Sequence, residues 1–161
     1  MNKIGFGGGC HWCTEAVFQS LRGVTKVSQG WIASTEPNDA FSEAVIVEYS
    51  DEITIDELVQ IHLLTHSSSS LHSMRDKYRS AVYYFDESQR NGIENRIARS
   101  SAEDRTDYIT RVLPFADFRE NREDQLQYYL KNKNAPFCQT YIHPKLKMIR
   151  ERHAKSVRHD F

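Results

Sequence analysis

In Lys3-Ile4-Gly5-Phe6-Gly7-Gly8-Gly9-Cys10-His11-Trp12-Cys13-Thr14-Glu15 a short apolar run meets a helical pattern across three glycines. Lys3 to Gly7 has the character of a strand, and from Cys10 to Leu21 the residues Trp12, Ala16, Val17 and Leu21 stand close to helical spacing. The glycines let the backbone turn sharply and leave room for close approach. Gly23 is expected to stop the helix. Beyond it, Val24 to Ser34 and Ala44 to Tyr49 alternate as strands around a loop at Glu36-Pro37-Asn38-Asp39, so the two should pair antiparallel. Thr54-Ile55-Asp56-Glu57 is a capping box, and Ile55, Leu58, Val59, His62, Leu63 and His66 then share one helical face. Tyr78 to Phe85 reads as a strand, Asp86-Glu87-Ser88-Gln89 as the cap of a helix through about Ser100, and Tyr108 to Pro114 as a last strand. Arg119 to Lys131 looks helical, and the basic, polar tail from Asn132 is expected to lie coiled over the surface.

The order strand, helix, strand, strand, helix, strand is a split βαβ, an α+β fold whose helices cover one face of an antiparallel sheet as a two-layer sandwich. No repeat or linker divides the chain, so residues 1–161 are expected to form a single domain, large enough to bury ~70% of the unfolded surface. Lysine plus arginine (21) nearly cancel aspartate plus glutamate (22), which removes any global field toward nucleic acid or an anionic membrane and favours a small or neutral substrate. No charged leader with an apolar stretch and no run of membrane-spanning length is visible, so the cytoplasm is the expected compartment.

Three cysteines are too few, and odd in number, for a disulfide framework. Cys10 is placed at a helix N-terminus, where unpaired N–H groups and the macrodipole stabilise a thiolate and make it a candidate nucleophile. Its bland alternative is a small buried thiol packed at a strand-helix junction, against which stand the glycine run, the adjacent indole of Trp12 and the second cysteine. Cys10 and Cys13 form a Cys-x-x-Cys pair, a spacing that serves thiol-disulfide exchange and also zinc. Zinc needs two further ligands, and His11, His62, His66 and His72 do not form a second close-spaced pair with cysteine, so no metal is expected.

Gly9-Cys10-His11-Trp12-Cys13-Thr14-Glu15 resembles the signature of the A-type peptide methionine sulfoxide reductases, which carries phenylalanine where His11 stands. Ser42-Glu43-Ala44-Val45 falls where that family has a strand glutamate, and Tyr78-Arg79-Ser80-Ala81-Val82-Tyr83-Tyr84 is similar to its tyrosine-bearing strand. Tyr129-Leu130-Lys131-Asn132 through Phe137-Cys138 resembles its C-terminal segment with a recycling cysteine. The similarity runs in order from Gly5 to about Leu146, and the family's ferredoxin-like core agrees with the split βαβ. The resemblance implies reduction of methionine sulfoxide of the S epimer, free or in peptides, with thioredoxin or another dithiol as partner and no cofactor.

That chemistry needs a sulfur nucleophile and a proton for the departing oxygen. Cys10 supplies the first. Glu43 shares a strand face with Val45, Val47 and Tyr49, an apolar setting suited to the proton donor that the resemblance implies. Tyr78, at the start of its strand, would direct its hydroxyl at the same oxygen, and Trp12 would wall the substrate methyl. Cys10 would then be a sulfenic acid, which a second thiol condenses to a disulfide. Cys138 is the preferred partner by resemblance, and Cys13 is nearer in sequence. His11 and Trp31 change the substrate-binding wall, the first making it polar and the second replacing the family's usual tyrosine. Asp76 is a candidate for the aspartate that buttresses the family's active-site tyrosine, or a solvated loop charge. Two alternatives remain: a reductase of a different small sulfoxide, and a non-catalytic binding or redox-sensing domain.

Overall fold

Alternation along the strands sorts their side chains to the two faces of one sheet, and the pairing of those strands places the glycine turn. The computed structural model describes residues 2–66 and 78–161. In chain order its elements are β1 (Asn2–Gly7), α1 (His11–Gln19), β2 (Val24–Ala33), β3 (Ser42–Tyr49), α2 (Ile55–Thr65), β4 (Ala81–Tyr84), α3 (Arg90–Asp104), β5 (Arg111–Pro114), β6 (Asp117–Glu120), α4 (Tyr128–Lys131) and α5 (His143–Arg152). Among the described residues the sheet has six strands in the order β5-β4-β1-β3-β2-β6. The inner four, β4-β1-β3-β2, are antiparallel throughout and form the expected split βαβ. β5 adds in parallel to β4, and β6 adds antiparallel to β2.

Phe6, Val45, Val47 and Tyr49 point into the main core with Phe18 of α1, Leu58 and Ile61 of α2, and Ile149 of α5. Ala44 and Ile46, the alternate residues of β3, face the other side with Ile32, Tyr83 and Phe118. Half of the predicted capping box at α2 forms: Thr54 Oγ1 accepts from the Glu57 N–H at 3.2 Å, while the Glu57 carboxylate accepts from Ser156 Oγ at 2.5 Å and lies 3.0 Å from His153 Nδ1. Asp86 likewise caps the turn that leads into α3, which runs four residues beyond the expected Ser100, to Asp104. Gly8 has φ +143, and a Cβ there would sit 2.5 Å from the His66 ring, so this turn admits only glycine.

Several boundaries differ from the sequence reading. α1 ends at Gln19 rather than at Gly23, and Gly23 instead takes a positive φ in the turn into β2. Tyr78 does not begin a strand; β4 starts at Ala81, because the Arg79 N–H donates to Ser42 Oγ at 2.7 Å instead of to a ladder partner. The strand expected from Tyr108 starts at Arg111 and is not the last. Arg119 to Lys131 is not one helix: Asp117–Glu120 pairs with the open edge of β2, and only Tyr128–Lys131 is α-helical. The edge won because Gly30 lets the β6 backbone come close; a Cβ on Gly30 would meet the Arg119 carbonyl oxygen at 2.1 Å. The tail does wrap the molecule, with Val157 bridging to Leu21, but it is largely helical. A wide π turn, Cys138–Ile142, runs into α5. Ile142, Leu146 and Ile149 bury one stripe of it, each contributing about 1.5–3 kcal/mol, more than its polar residues signal.

Candidate active site

Strand register explains why three distant segments meet. Gly7, the last residue of β1, faces Ala44 on β3 and Ala81 on β4. Cys10 follows Gly7 by three residues, Glu43 precedes Ala44 by one, and Tyr78 precedes Ala81 by three, so all three emerge at one end of the sheet. The Arg79–Ser42 hydrogen bond ties the chain next to Tyr78 to the residue next to Glu43.

Cys10 is the half-buried N-cap of α1 in extended backbone, and its carbonyl accepts from the Thr14 N–H at 3.1 Å and the Thr14 hydroxyl at 3.2 Å. Its thiol is pulled well below the ordinary cysteine range. The largest cause is a hydrogen bond from Cys13; burial opposes it, and the His11 side chain and the N–H groups of Trp12 and Cys13 assist. The Cys13 thiol is pushed up by the same pairing and by its own burial. Cys10 is therefore the thiolate and Cys13 its proton-bearing donor. We expect Cys13→Ala to move the pH midpoint of Cys10 alkylation by iodoacetamide upward by about 1–2 units, since a hydrogen bond to a charged group contributes about 1.5–3 kcal/mol and one unit is about 1.4 kcal/mol. An unmoved midpoint would assign the depression to the helix end alone.

Glu43 is buried, 5% exposed, beside the helix start. Its Oε1 accepts from the His11 backbone N–H at 3.2 Å and lies 3.3 Å from His11 Nδ1, without completing a hydrogen bond to that nitrogen. On the far side of the ring, Asn121 Nδ2 approaches Nε2 at 3.3 Å. Trp31 is the cross-strand partner of Glu43, and its ring meets His11 edge-on at 5.3 Å. The two residues expected to line the pocket thus pack against each other above Glu43.

Trp12 stacks on Tyr128 at 4.1 Å, with Phe137 edge-on at 5.5 Å. Residues 2–157 match the family model for peptide methionine sulfoxide reductase. The chain belongs to that family. The peptide methionine sulfoxide reductase MsrA of Acinetobacter baumannii (strain AYE) is 32% identical over 161 residues, covering 91% of this chain and 92% of its own. Among solved structures, Mxr1 from Saccharomyces cerevisiae in reduced form aligns with a TM-score of 0.74 at 20% identity, covering 87% of this chain and 90% of that one, a likeness of fold. Mxr1 in complex with Trx2 aligns with a TM-score of 0.62 at 17% identity, over 77% of this chain and 82% of that one.

For a member of the peptide methionine sulfoxide reductase family, the structure adds residues that the sequence reading missed. Glu15, 1% exposed, accepts from Gln29 Nε2 at 2.9 Å, the Gln127 N–H at 2.9 Å and the Tyr128 N–H at 3.2 Å. Burial raises its carboxyl, against those hydrogen bonds. This buried carboxylate locks α1 to the loop that lays Tyr128 on Trp12. The only signal in the sequence was its place in the cysteine motif, and Tyr128 was hidden by the helical reading of its segment.

Cys138 is fully buried at the start of the π turn, where burial raises its thiol. It is near enough to Cys13 to raise that thiol electrostatically. The three cysteines are free thiols. A cavity of about 40 Å³ beside Cys10 is lined by Cys10, Cys13, His62, His66 and Lys145. His62, held far toward its neutral form by burial, donates from Nε2 to the Gly7 carbonyl at 2.9 Å and so ties the glycine turn to α2. A larger cavity of about 510 Å³ lies between β2 and the C-terminal residues, away from Cys10. Asp76 and His72 fall outside the described residues. No helix among the described residues is long and apolar enough to cross a membrane.

Proposed function

We propose that this protein, acting as a single unit, reduces methionine sulfoxide, free or in peptides, with Cys10 as nucleophile. The observation that carries the reading is the pairing of a depressed thiol with a buried carboxyl, joined through the His11 N–H at 3.2 Å from Glu43. The Cys10 thiolate attacks the sulfoxide sulfur while Glu43 delivers a proton to the oxygen, with Tyr78 as second donor. Attack joins the Cys10 sulfur to the substrate sulfur, now bearing a hydroxyl; the hydroxyl then passes to the Cys10 sulfur as the sulfur–sulfur and substrate sulfur–oxygen bonds break, leaving Cys10 sulfenic acid and releasing methionine. The flat wall of Trp12 and Tyr128 takes the methyl group. His11 and Trp31 fill the space above Glu43 and set how far a peptide can enter.

Condensation of the sulfenic acid with a second thiol releases water and forms a disulfide. Cys138 takes this role, supported by its place beside Cys13 on the segment that also carries Phe137. A dithiol protein of the thioredoxin type then reduces the disulfide; the Mxr1–Trx2 complex among the structural relatives supports that partner. Three free thiols suit a reducing compartment such as the cytoplasm.

Turnover of the separate methionine sulfoxide epimers with dithiothreitol tests the reading. Consumption of the S epimer, with the R epimer at least about a hundredfold slower, is expected of a pocket that orients oxygen and methyl at once. No consumption of either would leave a binding domain. Cys138→Ser should still transfer one oxygen per protein but stall with thioredoxin, leaving a sulfenic acid that dimedone traps. Full recycling would move the role to Cys13.

A further inference from the structure

His11 does more than fill the wall: with Cys10 and Glu43 it completes a set of three dissimilar donors. Among the described residues, Cys10, His11 and Glu43 bring one ligand atom each to within 4.8 Å of one another. His11 Nδ1 and Glu43 Oε1 are already 3.3 Å apart. Bonds of about 2.0–2.3 Å at tetrahedral angles place neighbouring donors about 3.3–3.6 Å apart, so the nitrogen–oxygen gap fits and the widest gap closes by about 1 Å.

We propose that these three residues form a binding site for a borderline-soft divalent metal ion, Zn2+ by choice of donors, that reversibly masks the nucleophile. A sulfur, an imidazole nitrogen and a carboxylate oxygen suit Zn2+, whereas Mg2+ and Ca2+ prefer oxygen alone. Charge balance agrees, because one thiolate and one carboxylate neutralise the ion in a largely buried place. The imidazole, 8% exposed, has an Nδ1 with no completed hydrogen bond, 3.3 Å from Glu43 Oε1. Asn121 stands at its Nε2, where a carboxamide can orient a metal-bound ring. Cys13 is not a ligand here; the sequence pair Cys-x-x-Cys is replaced by the juxtaposition of the helix start with β3. The fourth position stays open to water.

The metal site stands apart from the reductase reading, while the inhibition it causes rests on Cys10 being the nucleophile. The full chain, kept reduced by a phosphine, is titrated with Co2+ and with Zn2+ in the absence of sulfoxide. One equivalent of Co2+ should give a thiolate-to-cobalt charge-transfer band. The band should vanish in Cys10→Ser, weaken in affinity at least about tenfold in His11→Phe, and persist in Cys13→Ser. On the unaltered protein one equivalent of Zn2+ should protect Cys10 from iodoacetamide until a chelator is added. Absence of the band, or failure of that protection, overturns the proposal. So does a band that survives His11→Phe but is lost in Cys13→Ser, which would put the metal on the cysteine pair. Sulfoxide turnover measured in chelator-containing buffer tests the reductase reading separately.

Discussion

Cys10→Ser should lose sulfoxide reduction completely while keeping its melting temperature within a few degrees of the parent. Serine keeps the shape of the N-cap and its ability to accept from Cys13 and from the N–H groups at the start of α1, so the fold has little to lose. What disappears is the proposed nucleophile. The site depresses the Cys10 thiol through Cys13, His11 and the helix start, yet a hydroxyl begins so much higher that no comparable set of hydrogen bonds yields an alkoxide near neutral pH. Steady-state turnover of the S epimer with dithiothreitol, beside thermal unfolding followed by circular dichroism, measures both halves. Retained turnover would remove Cys10 from the reaction; a collapse of the unfolding transition would make the thiol structural.

The second large effect belongs to Glu43→Gln, expected to slow kcat by about 10²–10⁴-fold with a small change in KM, the range that a positioned general acid contributes. The amide keeps an oxygen to accept the His11 N–H, so the geometry at the helix start is retained. It has no proton to give. The deficit should narrow as pH falls, because solvent acid then substitutes for the missing carboxyl while the depressed Cys10 thiol stays ionised through mild acidity. Parallel pH profiles of kcat for the two proteins check this. A deficit constant with pH and confined to KM would make Glu43 a binding residue and leave Tyr78 as the source of the proton.

These experiments also bear on how the site is read from a chain. Cys10 was legible because the cue is local: a strand, a glycine turn and a helix start are neighbours in sequence, and helix-end electrostatics act over one turn. Glu43 was legible only through alternation on β3 and the family resemblance, since nothing local says that a strand carboxyl faces a cysteine 33 positions away. The aromatic wall was half legible. Trp12 lies in the motif, but Tyr128 sits in a segment whose helical composition concealed a sheet-edge strand and a loop locked by Glu15.

By itself the sequence determined the order β1, α1, β2, β3, α2, β4 and the place of Cys10 at the start of α1, because periodicity and capping are short-range properties of the chain. Tertiary structure alone decided that Asp117–Glu120 becomes an edge strand, that the basic tail turns helical, and that His11 meets Glu43 at 3.3 Å. Each of those outcomes depends on a partner far along the chain: an open β2 edge with no side chain at Gly30, an apolar surface waiting for Ile142, Leu146 and Ile149, and a register that lays β3 beside β1. Local preference is worth tenths of a kcal/mol per residue, about 0–0.7 for ordinary residues in a helix, whereas burial and ladder pairing contribute about 1 kcal/mol or more at each position, so the partner prevails.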